Sequence, residues 1–247
     1  MKTIGIIPSR YASSRLPGKP LMDIHGKSMI RRVYEQCLKA KKLDKVLVAT
    51  DDERIQKEVL DFGGEVVMTS QNHQSGTDRC NEALLKQGND YDIVVNIQGD
   101  EPFISPNQID LIVGCFENDN TTEIATLIKK VVDIETLQDP NKVSVVCDYK
   151  GFALYFSRQL IPFLRGVPPS DWTTQHNYYK HIGMYAYKAN VLSNLSELPQ
   201  SNLEMAEKLE QLRWLENGFK IKTAITEEEA ISIDTPEDLS RLLKLKQ

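Results

Sequence analysis

The chain opens with Thr3-Ile4-Gly5-Ile6-Ile7, which breaks into Pro8-Ser9-Arg10-Tyr11-Ala12-Ser13-Ser14-Arg15-Leu16-Pro17-Gly18-Lys19-Pro20. The apolar run has no polar alternation, which is the pattern of a strand covered on both faces. The segment after it is built of turn formers, three serines and three cations. Working outward, similar β-branched runs recur at residues 46–50, 65–68 and 93–98, and helical periodicity lies between them at 29–40, 52–61, 78–87 and 106–116. In the first of these helices Ile30, Val33, Tyr34, Cys37 and Leu38 form one stripe. Strands alternating with amphipathic helices predict an α/β fold with a mostly parallel central sheet flanked by helices.

Composition agrees with such a fold and excludes others. With 247 residues, 40% of them hydrophobic and 26% charged, the chain can bury a full core. A formal charge of −5, from 30 basic against 35 acidic side chains, leaves no global positive field for a nucleic-acid backbone. An anionic ligand must therefore meet a local basic cluster. Cys37, Cys80, Cys115 and Cys147 lie more than thirty residues apart, away from zinc-site or redox spacing, and read as reduced, mostly buried thiols. No stretch has the length of a signal peptide core or a membrane span, so the expected location is the cytoplasm.

The second half is less regular. Residues 142–148 and 152–156 read as a hairpin around Lys150-Gly151, and 181–187 as another strand. Residues 165–177 read as a mobile loop. A helix is expected over 203–216, with Ala206, Leu209, Leu212 and Leu215 inward and Gly218 just past its end. The last helix starts at Thr235-Pro236-Glu237-Asp238, where threonine caps and proline fits the first turn.

In open α/β sheets ligands bind beyond the carboxyl ends of the strands, where the basic loop falls. Arg10, Arg15 and Lys19 suit a triphosphate, whose charge shifts toward pyrophosphate during reaction. Three cations in ten positions also occur on solvated loops, and the segment matches neither a Walker A nor a G-x-G-x-x-G pattern. Ile97-Gln98-Gly99-Asp100-Glu101-Pro102 puts Asp100 at a strand end, and Ser232-Ile233-Asp234-Thr235-Pro236 puts Asp234 ahead of the terminal helix. Two carboxylates suffice for Mg²⁺, which keeps waters and phosphates in its shell. Singly, each aspartate reads equally well as a turn or helix-start residue. His73-Gln74-Ser75-Gly76-Thr77-Asp78-Arg79 precedes a helix with small residues that permit close backbone approach, and Asp51 follows a strand.

These segments resemble those of the CMP-KDO synthetases (3-deoxy-manno-octulosonate cytidylyltransferases) of the sugar-nucleotidyltransferase superfamily. The similarity runs from about Ile4 to Leu243 through at least six segments in the expected order. It implies the Rossmann-like nucleotide-diphospho-sugar transferase fold with a smaller α+β acceptor and dimerisation region. A single domain is expected, 1–130 mainly nucleotide-binding and 131–247 mainly sugar-binding. The implied reaction transfers CMP from CTP to the eight-carbon acid sugar 3-deoxy-manno-octulosonate (KDO), releasing pyrophosphate, for lipopolysaccharide or capsule synthesis.

The resemblance further implies Mg²⁺ on Asp100 and Asp234, and catalysis by Arg10, Arg15, Lys19 and Asp100. Nucleotide contacts fall to Arg10, Ser13, Arg15, Lys19, Asp51, Ser75, Gly76 and Arg79. Sugar contacts fall to Gln98, Arg158, His181, Tyr185, Glu210 and Gln211. A homodimer is expected, with neither nucleic acid nor membrane as partner. CMP-sialate synthetases carry Gly-Gly-Ser-Lys where this chain has Tyr11-Ala12-Ser13-Ser14, which favours KDO. Other acid sugars, such as 8-amino-KDO or a sialic acid, and a catalytically silent nucleotide-binding regulator are the alternatives. Two departures are Ser9, where alanine is common, and Ser232, where glycine is frequent.

Overall fold

The computed structural model describes residues 1–12, 16–88, 90–229 and 231–244. Ser13 and Arg15 lie outside the described residues. The chain forms two compact units, one of Met1–Asp110, Lys188–Ser196 and Ala230–Gln247, the other of Leu111–Tyr187 and Glu197–Glu229. Segments from late in the chain return to the first unit.

In the first unit β1 (Thr3–Ser9) lies between β2 (Lys45–Thr50) and β4 (Ile93–Asn96), and β3 (Val66–Met68) extends the sheet beyond β2. All are parallel, with Ile4 opposite Lys45, Thr3 opposite Ile93 and Val48 opposite Val66. Ile4, Ile6, Ile7, Val48, Ala49, Val94 and Val95 are fully buried, as the unalternating runs require. The fourth strand ends at Asn96, short of the expected 98. Ile97 still donates to the Ile6 carbonyl at 2.9 Å, and Gly99 then passes so close that a Cβ would stand 3.1 Å from the Pro8 carbonyl oxygen.

Helix α1 (Met29–Cys37) starts where Ser28 accepts the Arg31 N–H, and it buries Met29, Ile30, Val33, Tyr34 and Cys37. It ends before residue 40, leaving Leu38 59% exposed. Helix α2 (Glu53–Asp61) is capped by Asp52. Helix α3 (Gly76–Gln87) starts two residues earlier than expected, because Ser75 and Asp78 form a reciprocal capping box. All four strands point their carboxyl ends the same way, toward the loops that begin at Arg10, Asp51, Thr69 and Ile97.

In the second unit β5 (Ile124–Val131) runs antiparallel to β8 (Tyr178–Lys188), with a register shift between Ile182 and Tyr185, and parallel to β9 (Ile221–Ile225). The expected hairpin is β6 (Ser144–Cys147) with β7 (Ala153–Ser157), turned through Gly151 at φ +77°. Two expectations change here. Residues 165–177 are not an open loop: a turn of 3₁₀ helix (Pro169–Asp171) leads into Trp172–Gln175, and buried Trp172 packs against Val131, Leu137 and Tyr178.

Residues 203–216 form two helices, Asn202–Glu207 and Gln211–Glu216, parted by Lys208 in the left-handed region at φ +54°. Leu209 and Leu212 are buried as expected, Ala206 is exposed and Leu215 half-buried. Nine residues of one helix would put Glu204 and Arg213 on opposite sides. The break lets them meet in a buried bidentate pair, Nε to Oε2 at 2.7 Å and Nη2 to Oε1 at 2.6 Å. Arg213→Ala, which strands the Glu204 carboxylate, is expected to cost about 3–5 kcal/mol. Thermal unfolding checks this, and a Tm unchanged from wild type would show that the pair is not a structural tie.

Candidate functional site

A cavity of about 290 Å³ lies beyond the carboxyl ends of β1 and β4 and is walled entirely by the first unit. Ser9 and Arg10 enter it from the end of β1, His73 to Gly76 and Arg79 from the start of α3, and Gln98 to Asp100 from the segment after β4. Lys19 and Asp234 complete it. Lys19 Nζ stands 2.8 Å from Asp100 Oδ2 and 3.3 Å from Asp234 Oδ1, with its side chain 13% exposed. One ammonium thus joins carboxylates that are 134 positions apart in sequence, from 100 to 234.

Each part of that junction has a local cause. Gly18, at φ +71°, allows the turn into the 3₁₀ segment Lys19–Leu21, and its N–H bonds to the Tyr11 carbonyl at 2.9 Å. A Cβ on Gly18 would meet the Tyr11 ring at 3.1 Å. Beneath it Leu16, Ile24, Met29, Ile233 and Leu242 form one buried cluster. Ile233 also donates its N–H to the Asp100 carbonyl at 3.0 Å, tying the two aspartate segments by their backbones. Asp234 is then oriented by the cap of the last helix (Pro236–Lys244), where Asp238 Oδ2 accepts the N–H groups of Asp234 and Thr235. Burial pushes the Asp238 carboxyl up, but these bonds and the Thr235 hydroxyl outweigh it, so it ionises below its usual range. Ser232 is exposed and disturbs none of this.

Two carboxylates that already share one cation fit a divalent metal, and among the described residues no cluster of three His, Cys, Asp or Glu offers a fuller cage. That donor set suits a hard ion whose shell is completed by water and phosphate. Glu101 is not among the cavity-lining residues. Burial, and then the Asp100 charge, push its carboxyl up to about 7.

Arg79 is 4% exposed, donating to Thr69 Oγ1 at 2.6 Å and to Asp51 Oδ2 at 3.0 Å. Asp51 does not line the cavity and is joined to it through its bond with Arg79. Ser75 and Gly76 do line it, and a Cβ on Gly76 would meet Pro8 at 3.4 Å and the Asn96 amide at 3.6 Å. His73 and Gln74 were not singled out from sequence yet line it too. Of the expected sugar residues, Gln98 belongs to this cavity.

The other five lie in the second unit. His181 Nε2 meets Thr126 Oγ1 at 2.9 Å, and its ring is 5.3 Å from that of Tyr185, against which Trp214 stands edge-on at 5.0 Å. Burial takes His181 down to about 4, so at neutral pH it is a neutral donor and acceptor rather than a cation. Burial, with Tyr187 and Glu210 nearby, raises the Tyr185 phenol well above its usual range. The side-chain donors of Gln211 and Trp214 are buried without a partner among the described residues. Arg158 stands apart from this group: its Nε donates to the Glu207 carbonyl at 2.7 Å and its Nη2 to that of Lys208 at 3.4 Å, bracing the break between the two helices.

The cytidylyltransferase family profile matches residues 4–223. The chain belongs to the cytidylyltransferase family. Among similar cytidylyltransferases, the 3-deoxy-manno-octulosonate cytidylyltransferase of Parabacteroides distasonis is 58% identical, covering 98% of this chain and 97% of the relative. An 8-amino-3,8-dideoxy-manno-octulosonate cytidylyltransferase of Shewanella frigidimarina is 49% identical over 98% and 97%. A solved CMP:2-keto-3-deoxy-manno-octonic acid synthetase complexed with CTP superposes with a TM-score of 0.91 at 41% identity, covering 98% of this chain and 97% of that one.

The Glu101 carboxyl sets a pH dependence in the metal-free protein. Folded, it keeps its proton up to about 7; unfolded, it loses it near 4.5. Its contribution is whole below 4.5 and is lost as pH rises through 7. Glu101→Gln should flatten Tm against pH across that window, and an unchanged slope would show that Glu101 is not protonated in the native state.

Proposed function

We propose that this cytidylyltransferase transfers CMP from CTP to KDO, giving CMP-KDO and pyrophosphate. The observation that carries the reading is the convergence of Lys19, Asp100 and Asp234 in a cavity that Arg10 and the start of α3 also line. The similarity over nearly the full length to KDO cytidylyltransferases supports the acceptor. The anomeric hydroxyl oxygen of KDO attacks the α-phosphorus, the bond from that phosphorus to the bridging oxygen of pyrophosphate breaks, and the hydroxyl proton is released.

Arg10, Arg15 and Lys19 neutralise the phosphates and the charge that gathers on the leaving pyrophosphate. Ser13, Ser75, Gly76 and Arg79 seat the nucleoside, with Asp51 holding Arg79 in place. Asp100 and Asp234 would hold Mg²⁺, which, when bound, supplies Lewis-acid polarisation of phosphate and lowers the pKa of the attacking hydroxyl. The candidate partners for the sugar hydroxyls are Gln98 in the first unit and His181, Tyr185, Glu210 and Gln211 in the second, while Arg158, which braces the break at Lys208, stands apart from them. Positioning and charge neutralisation, rather than a dedicated protein base, account for the rate.

The exposed apolar side chains Leu154 and Phe163 of the second unit favour a homodimer built there. No helix among the described residues is long and apolar enough to cross a membrane. Four free cysteines, three of them buried, accord with work in the cytoplasm.

The deciding assay is pyrophosphate release with CTP, Mg²⁺ and KDO, against UTP, ATP, 8-amino-KDO and a sialic acid. Release above background only with CTP and KDO is expected, while greater turnover of another acceptor would reassign the substrate. Asp100→Ala should lower turnover on the order of 10²-fold or more with the fold intact by circular dichroism. Near-normal turnover at saturating Mg²⁺ would remove Asp100 from the site.

A further inference from the structure

The loop between β3 and α3 is locked by one side chain from the helix that follows it. Glu82, on the second turn of α3, uses both oxygens: Oε1 takes Lys86 Nζ at 2.8 Å, and Oε2 takes the Ser70 N–H at 2.9 Å together with His73 Nε2. Lys86 in turn donates to the Met68 carbonyl at 2.8 Å. Burial opposes the Glu82 charge, but Lys86, the Ser70 N–H and His73 outweigh it and bring the carboxyl down to about 2. An anionic carboxylate can only accept, so Nε2 of His73 carries the proton. In the neutral ring Nδ1 is then the acceptor.

Only the Nε2 side of the ring is bonded among the described residues, and the ring lines the same cavity as Arg10, Lys19 and Gly76. The neighbouring cations are donors suited to phosphate. A neutral acceptor needs a donor on the ligand. On the base of a pyrimidine nucleotide, cytosine offers its 4-amino group where uracil offers a carbonyl oxygen. We propose that His73 is a specificity-determining residue of this site, its Nδ1 accepting from the cytosine 4-amino group, and that Glu82 is the positioning residue that fixes the ring for this contact. The proposal rests on the reading of the cavity as a cytidine nucleotide site and adds to it a residue and a basis for refusing uridine.

The test compares CTP and UTP affinity by calorimetry on the full chain with Mg²⁺, with pyrophosphate release from CTP and KDO run in parallel. His73→Leu should lower the CTP-to-UTP affinity ratio about three- to tenfold, as the loss of one neutral hydrogen bond predicts. Its KM for KDO should stay unchanged, while its Tm should fall modestly because Glu82 loses one charge-assisted bond. His73→Asn, whose side-chain oxygen can stand near Nδ1, should recover part of the ratio. Glu82→Gln should lower the ratio as well, and in combination with His73→Leu add nothing further, since the two act through one contact. An equal loss of CTP and UTP binding in His73→Leu, which a ribose or phosphate contact would give, overturns the proposal. So does a ratio unchanged from wild type, or full additivity of the two substitutions. If wild type releases no pyrophosphate from CTP and KDO, the functional reading fails first, and the parallel assay separates that outcome from failure of the His73 assignment alone.

Discussion

The site depends on holding two like charges side by side. Two carboxylates 4 Å apart repel by roughly 1–4 kcal/mol, depending on the effective dielectric between them. Asp100 and Asp234 are held near a common point by the backbone bond from Ile233 to Asp100 and by the apolar cluster around Ile233, and the Lys19 ammonium neutralises them there. Packing energy from Leu16, Ile24, Met29 and Leu242 thus opposes electrostatic repulsion a few ångströms away. The same arrangement that suits one ammonium suits a divalent ion, so the residues are organised for a cation before any ligand arrives.

Preorganisation extends to the nucleotide side. The chain entering α3 is cross-linked by the Ser75–Asp78 capping box, by Arg79 to Thr69 and Asp51, and by Glu82 to Ser70 and His73. A loop this constrained loses little conformational freedom on binding. A Cβ at position 76 would stand at ordinary contact distance from Pro8 and Asn96, so packing alone does not demand glycine there. In the second unit the design differs: Phe156, His181, Tyr185 and Trp214 pack ring against ring. Burial keeps His181 and Tyr185 neutral there, which suits hydroxyl groups better than a carboxylate.

Much of this was legible in the residues alone. The unalternating runs at 3–7 and 46–50 announced buried parallel strands, since covering both faces of a strand demands apolar side chains on both. Their position also placed Arg10, Lys19, Ser75, Gly76 and Asp100 at the ligand-binding end. The cap at Thr235 followed from local chemistry, because a threonine, a proline and two acids satisfy the start of a helix without distant help. The helix expected over 203–216 failed for the opposite reason: its periodicity was sound, but a buried ion pair between Glu204 and Arg213 outweighed helix continuity at Lys208.

Local periodicity and turn chemistry in the chain determined the alternating strands and helices and the loops that bear charge. Which distant residues meet was settled only by tertiary packing. Nothing at positions 73 and 82 specifies that an imidazole and a carboxylate will share a bond, nor at 158 that a guanidinium will brace Glu207 and Lys208. Nor does sequence spacing say that Lys19 will sit between Asp100 and Asp234. Secondary structure arises from interactions a few residues apart, whereas such meetings follow from which apolar surfaces close on one another, and that is a property of the folded chain as a whole.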